Sequence, residues 1–75
     1  MSLGRISRIK NIIRNLIEET RGVSFGLDIK IDNIDTSERK ISVKGRYISL
    51  WEEGRFSIIL DRGFNVIKFE VKPKE

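Results

Sequence analysis

The hydrophobic period of this chain changes once, and that change constrains its fold more than any other feature. Leu3, Ile6, Ile9, Ile13, Leu16 and Ile17 recur at helical spacing. At 100° per residue they share one stripe of about 140°, with Ile12 just outside it. Polar residues fill the remainder, and Gly22 stands where a left-handed C-terminal cap belongs. The spacing predicts a helix over 4–21. Beyond it, Val23, Phe25, Leu27, Ile29 and Ile31 alternate with Ser24, Gly26, Asp28, Lys30 and Asp32. That period of two belongs to a strand with one buried and one wet face.

Strands are expected over 23–32, 39–51, 55–61 and 66–72, with Pro73 ending the last. Asp35-Thr36-Ser37-Glu38 reads as a loop. Glu52-Glu53-Gly54 and Asp61-Arg62-Gly63 read as hairpin connections, with Gly available for positive φ. The expected fold is α+β: one domain over 1–75, with an N-terminal helix packed on a four-stranded antiparallel meander in two layers. Matching like faces sets Ile31 opposite Ile41 and Ile29 opposite Val43, bringing Asp32 to Lys40 and Asp28 to Lys44. In the next hairpin it sets Trp51 opposite Phe56, Tyr47 opposite Leu60 and Arg46 opposite Asp61. Gly26 and Gly45 then fall near each other on the core face, where packing explains both.

A core this small is marginal unless packing, charge networks or self-association supports it. Cys and His are both absent, which excludes disulfides, thiolate zinc sites, thiol nucleophiles and the usual general base. No motif for catalysis, metal or phosphate-loop binding is present; Glu52-Glu53 is a solvated hairpin tip, and no cofactor or small-molecule substrate is indicated. The chain has thirteen Ile, no Ala and no Gln beside abundant Lys, Arg and Glu. This bias fits a thermophile, and an AT-rich genome produces the same excess of Ile. No apolar run has the length of a membrane span, and Arg and Lys interrupt any secretory core at the N-terminus. A cytoplasmic protein is expected.

Three surfaces bear on function. Arg5, Arg8, Lys10 and Arg14 account for the whole net charge of +4, since the other eleven basic residues are matched by eleven acidic ones. Cations in the first turns of a helix oppose its dipole, as do Glu18 and Glu19 near its end. Either this is an anion-binding surface, nucleic acid included, or it is a solvated face. The outer sheet face carries Lys30, Lys40, Lys44, Arg46 and Lys68, with Ser42 and Ser57 between them. Asp28, Asp32, Asp61 and Glu70 interleave, so a self-neutralised mesh is the expected reading. The aromatics Phe25, Tyr47, Phe56 and Phe69 face inward, leaving Trp51 at a strand end as the one exposed stacking platform. The third surface is apolar: Ile48, Leu50, Ile59 and Val66 fall on the outer face in this register, unless a bulge near Gly45 turns Ile48 and Leu50 inward.

The strand, Asp-x-Gly turn and return strand from Phe56 to Val71 loosely resemble the end of gas-vesicle O-type proteins and PepSY-type domains. No diagnostic residue accompanies the likeness, and no site is carried over from it. The expected function is a non-enzymatic interaction module, homo-oligomeric or a subunit of a larger assembly, contacting its partner through Ile48, Leu50, Ile59 and Val66. The alternative is an electrostatic nucleic-acid binder using Arg5, Arg8, Lys10 and Arg14.

Overall fold

A computed structural model describes residues 3–22 and 26–74, with helix side chains from Ile6 onward. Helix α1 spans Leu3–Arg21. Strands β1 (Asp28–Thr36), β2 (Lys40–Ile48), β3 (Glu53–Asp61) and β4 (Val66–Pro73) form one antiparallel sheet in the order β1-β2-β3-β4. The α+β meander is as expected from the change of period. Val23, Ser24 and Phe25, placed in the first strand by alternation, lie outside the described residues. Gly22 ends the helix at φ 68, its N–H donating to the Glu18 carbonyl at 2.9 Å. This is the left-handed cap that a glycine permits without a Cβ penalty.

The helix buries Ile9, Ile13 and Ile17 against Leu27, Ile29, Val43, Tyr47, Phe56, Ile58 and Leu60. Among the described residues no polar or charged side chain is buried. Two cross-links pin the helix to the sheet. The Arg21 guanidinium donates to both Glu52 carboxylate oxygens, at 2.9 and 3.2 Å, and the Tyr47 hydroxyl donates to the same carboxylate. Near the other end of the helix, the Arg8 guanidinium lies 4.8 Å from the centre of the Phe64 ring, a cation–π contact.

The register differs from the expected one in both hairpins. In β1 the pairs run Ile29↔Tyr47, Ile31↔Gly45, then Asn33↔Lys44, Ile34↔Val43 and Thr36↔Ile41. Asp32 is an extra residue, a β-bulge, and β1 takes in Asp35 and Thr36 of the expected loop, leaving Ser37 and Glu38 in the connection. The cause lies in the core. Ile29 and Ile31 sit at odd positions and Ile34 at an even one, so a single inserted residue keeps all three on the helix side. The Asp32–Lys40 and Asp28–Lys44 pairs are therefore not neighbours. The bulge does lie opposite Gly45, but on β1, and it leaves Ile48 on the outer face.

In the second hairpin β2 stops at Ile48, and Gly45↔Phe56, Tyr47↔Gly54 and Ile48↔Glu53 pair across it. Phe56 thus faces Gly45 rather than Trp51, and Arg46 faces Arg55 rather than Asp61. The connection is Ser49-Leu50-Trp51-Glu52, closed by Ser49. Its N–H donates to the Glu52 carbonyl at 2.8 Å, and its hydroxyl accepts from the N–H groups of Trp51 and Glu52. A serine that satisfies this many local groups nucleates a turn better than Glu52-Glu53-Gly54. Gly54 belongs to β3. In the third connection positive φ falls on Phe64, at 65, not on Gly63. The Asp61 carboxylate organises that turn, accepting from Asn65 N–H at 2.9 Å, the Asn65 amide at 3.1 Å and Gly63 N–H at 2.8 Å. Those donors hold its pKa below the ordinary value, the Asn65 backbone first.

A second bulge, at Ile67, separates Leu60↔Val66 from Ile59↔Lys68. Both edge strands of this open sheet therefore carry a bulge, which twists an edge away from pairing with another chain.

Candidate functional site

The register decides what the outer face presents. Facing away from the helix are Lys30 on β1, Arg46 on β2, Arg55 on β3 and Lys72 on β4. Each is the direct partner of the next: Lys30↔Arg46, Arg46↔Arg55 and Arg55↔Lys72. A row of four cations crosses the whole sheet. With neighbouring strands about 4.8 Å apart, the row spans about 14 Å. Like charges directly opposite one another cost stability, so three consecutive like-charged pairs are not what packing alone selects.

Arg46 is the one member with an acidic partner among the described residues, donating to the Asp32 carboxylate at 3.2 and 3.1 Å. The bulge at Asp32 makes that contact. Of the other acids beside the row, Glu53 pairs with Lys74 at 3.5 Å and Glu70 with Lys68 at 3.2 Å, while Asp28 stands two positions from Lys30 on the same face, opposite Ile48. Beside the row lies an open depression of about 430 Å³, lined by Lys30, Arg46, Ile48, Glu53, Arg55 and Lys72. A second one, about 490 Å³, adjoins it along Asp32, Lys44, Arg46 and Arg55. Arg46 and Arg55 line both and form the ridge between them.

The β2–β3 loop stands at the same end of the sheet as the row. It holds Leu50 71% and Trp51 75% exposed. This exposure sits on a fixed support. The Ser49 bonds close the loop, while Glu52 is held by Arg21 from the helix and Tyr47 from beneath. Hydrogen bonds from Arg21 and then Tyr47 keep the Glu52 carboxyl below its ordinary pKa, so it remains a charged anchor.

The expected site residues are dispersed. Ile48 is 39% exposed beside Glu53, whereas Ile59 is half-buried beside Ser42 and Lys68. Six residues of β3 separate those two positions, about 20 Å along the strand, with Arg55 and Ser57 between them. Leu50 is in the loop rather than on the sheet, leaning on Gly26. Val66 pairs with Leu60 and so lies on the helix side at the sheet edge. The register does not gather them into one apolar patch.

The helix cations are dispersed too. Two positions apart on a helix, Arg8 and Lys10 point about 160° away from each other, with Arg14 nearer Lys10. Arg8 is engaged over Phe64. The Arg5 side chain lies outside the described residues.

Arg55 and Lys72 were missed from the outer-face set. Their strand parity was legible, but their alignment with Lys30 and Arg46 depends on the hairpin registers. Among the described residues no group of His, Cys, Asp or Glu is placed to hold a metal ion, and no helix is long and apolar enough to cross a membrane. Fold and face together define a two-layer α+β domain whose open sheet presents a cross-strand cationic row. The chain matches no family model, no curated protein and no solved structure.

Proposed function

We propose that this protein is a non-enzymatic binding module that takes the phosphate backbone of nucleic acid on its outer sheet face. The cationic row Lys30–Arg46–Arg55–Lys72 carries the reading. The row sets one cation on each strand of the sheet over about 14 Å, a track of positive charge along which a phosphate backbone can lie. Arg55, near its centre, has a planar guanidinium able to grip two phosphate oxygens at once, while that of Arg46 is shared with Asp32. The depressions beside them are open and shallow, which suits a chain laid across the face better than an enclosed small molecule.

Binding is expected in the micromolar range at low salt and to weaken steeply as salt rises. For a single strand the slope of log affinity against log salt should be about −0.7 per phosphate neutralised, near −2.1 for Lys30, Arg55 and Lys72, the three cations not paired with an acid. Removing two contacts with Arg55→Gln and Lys72→Gln should flatten that slope by about 1.4. The same variant should melt no lower than wild type, because it relieves like-charged cross-strand pairs worth roughly 0.2–1 kcal/mol each. Fluorescence anisotropy across a salt series, with thermal melts of both proteins, reads the two effects. No binding at low ionic strength, or loss of stability together with loss of binding, would sink the reading. Light scattering on the same samples checks the other candidate occupant of this face, a second copy of the chain. A dimer dissociated by Ile48→Lys would favour that occupant.

A further inference from the structure

Resting on that reading, we infer that the ligand is single-stranded nucleic acid, with a base stacked on Trp51 while its phosphates follow the cationic row. Three observations carry this. Trp51 leaves three-quarters of its surface in water, a large apolar ring that no residue of the sheet covers. Its support is rigid: Ser49 closes the loop, the Trp51 N–H donates to the Ser49 hydroxyl at 3.3 Å, and the following residue, Glu52, is tied to helix and sheet. With the loop backbone fixed this way, only the two side-chain torsions of Trp51 remain to be ordered when a base lies on the ring, which is the advantage of a preorganised platform. Third, loop and row share one end of the sheet. Ile48, next to the loop, lines the same depression as all four cations.

A duplex keeps its bases stacked inside and offers an exposed ring only its sugar–phosphate rim or its terminal pair. A single strand has free π-faces along its length, and stacking on them tolerates any sequence. Pairing one aromatic platform with a cationic track therefore selects for unpaired strands, without base-specific hydrogen bonds.

Trp51 is the chain's one tryptophan, so its emission reports directly on the contact. The test titrates the intact protein with an oligothymidylate of about 12 nucleotides, a duplex of the same length, and inorganic polyphosphate. The oligothymidylate should bind most tightly and quench Trp51. Polyphosphate should bind with a similar salt slope and leave the emission unchanged. Trp51→Ala should weaken the single strand about tenfold or more, leave polyphosphate affinity and the salt slope alone, and keep the melting temperature. Trp51→Phe should recover most of the loss. If all three polyanions bind while emission is silent and Trp51→Ala is neutral, the single-strand inference falls and the cationic row stands. If none binds at low salt, both fall. A Trp51→Ala variant that turns a dimer into a monomer without changing affinity overturns the platform role.

Discussion

Gly54→Ala is expected to destabilise the domain by about 3 kcal/mol, the upper part of the usual range for overpacking. A Cβ at this position would collide with the Lys72 carbonyl oxygen, and would stand 2.7 Å from Pro73 Cα and 2.8 Å from Tyr47 Cε1. None of these obstacles is the free end of a flexible side chain. Two are backbone of the neighbouring strand, and the third is the ring of the fully buried Tyr47. A 75-residue domain has a total stability on the order of 4–11 kcal/mol. The substitution should thus lower the melting temperature by about 12–24 °C. Gly45→Ala should act similarly, since its Cβ would meet the Lys30 carbonyl oxygen, with Phe56 Cζ at 2.9 Å and Ile31 Cα at 3.0 Å. Gly63→Ala is the control, because the nearest atoms there are side-chain atoms at 3.3 and 3.4 Å and φ is not positive. Melting curves that place Gly54→Ala beside Gly63→Ala would show that Tyr47 and β4 do not approach Gly54 this closely.

These two glycines show where the sequence was legible and where it was not. The helix, its Gly22 cap and the inward faces of β2 and β3 follow from periodicity, because one buried face per element leaves a local imprint. Register leaves none when a bulge intervenes. Ile34 breaks the alternation of Ile29 and Ile31, and Val66 breaks that of Phe69 and Val71; each break marks a bulge, at Asp32 and at Ile67. Read with β2 running on to Trp51, Arg46 lands opposite Asp61 and the outer face looks self-neutralised. With the Ser49 loop ending β2 early, Arg46 meets Arg55, and the bulged edge strands set Lys30 and Lys72 in line with them. A shift in pairing of a few residues thus turns what reads as a salt-bridge mesh into a row of cations. The charge of the N-terminal helix was the more visible signal, but helical geometry spreads it around the cylinder. Trp51 was recognisable as an exposed platform; the clamp beneath it, joining residues from three segments, was not.

That clamp supports the second large effect. Tyr47→Ala is expected to cost about 4 kcal/mol, the usual loss for truncating a buried aromatic ring. Tyr47→Phe keeps the ring and removes only the hydrogen bond to Glu52, so it should cost about 1–2 kcal/mol near neutral pH. The pH dependence separates the two contributions. Glu52 titrates lower in the folded protein than its ordinary 4.5, because Arg21 and then Tyr47 donate to it. Its stabilisation is present above the unfolded pKa and is lost as pH falls through the depressed folded value. The Tyr47 hydroxyl moves the other way, pushed up from 10.0 to about 12 by burial first and by the Glu52 carboxylate second. Its share is complete below the unfolded pKa and is lost as pH rises through the folded one. The gap in urea midpoint between wild type and Tyr47→Phe should therefore be widest across the neutral range. It should narrow at acid pH, as Glu52 protonates below the ordinary carboxylate range, and again as pH rises from 10.0 toward about 12, where tyrosine ionises first in the unfolded chain. Tyr47→Phe should also loosen the loop that carries Trp51 without changing the cationic row, weakening single strands more than polyphosphate. A gap that stays constant with pH would mean that the hydroxyl does not bond the Glu52 carboxylate, and that the loop is held by Ser49 alone.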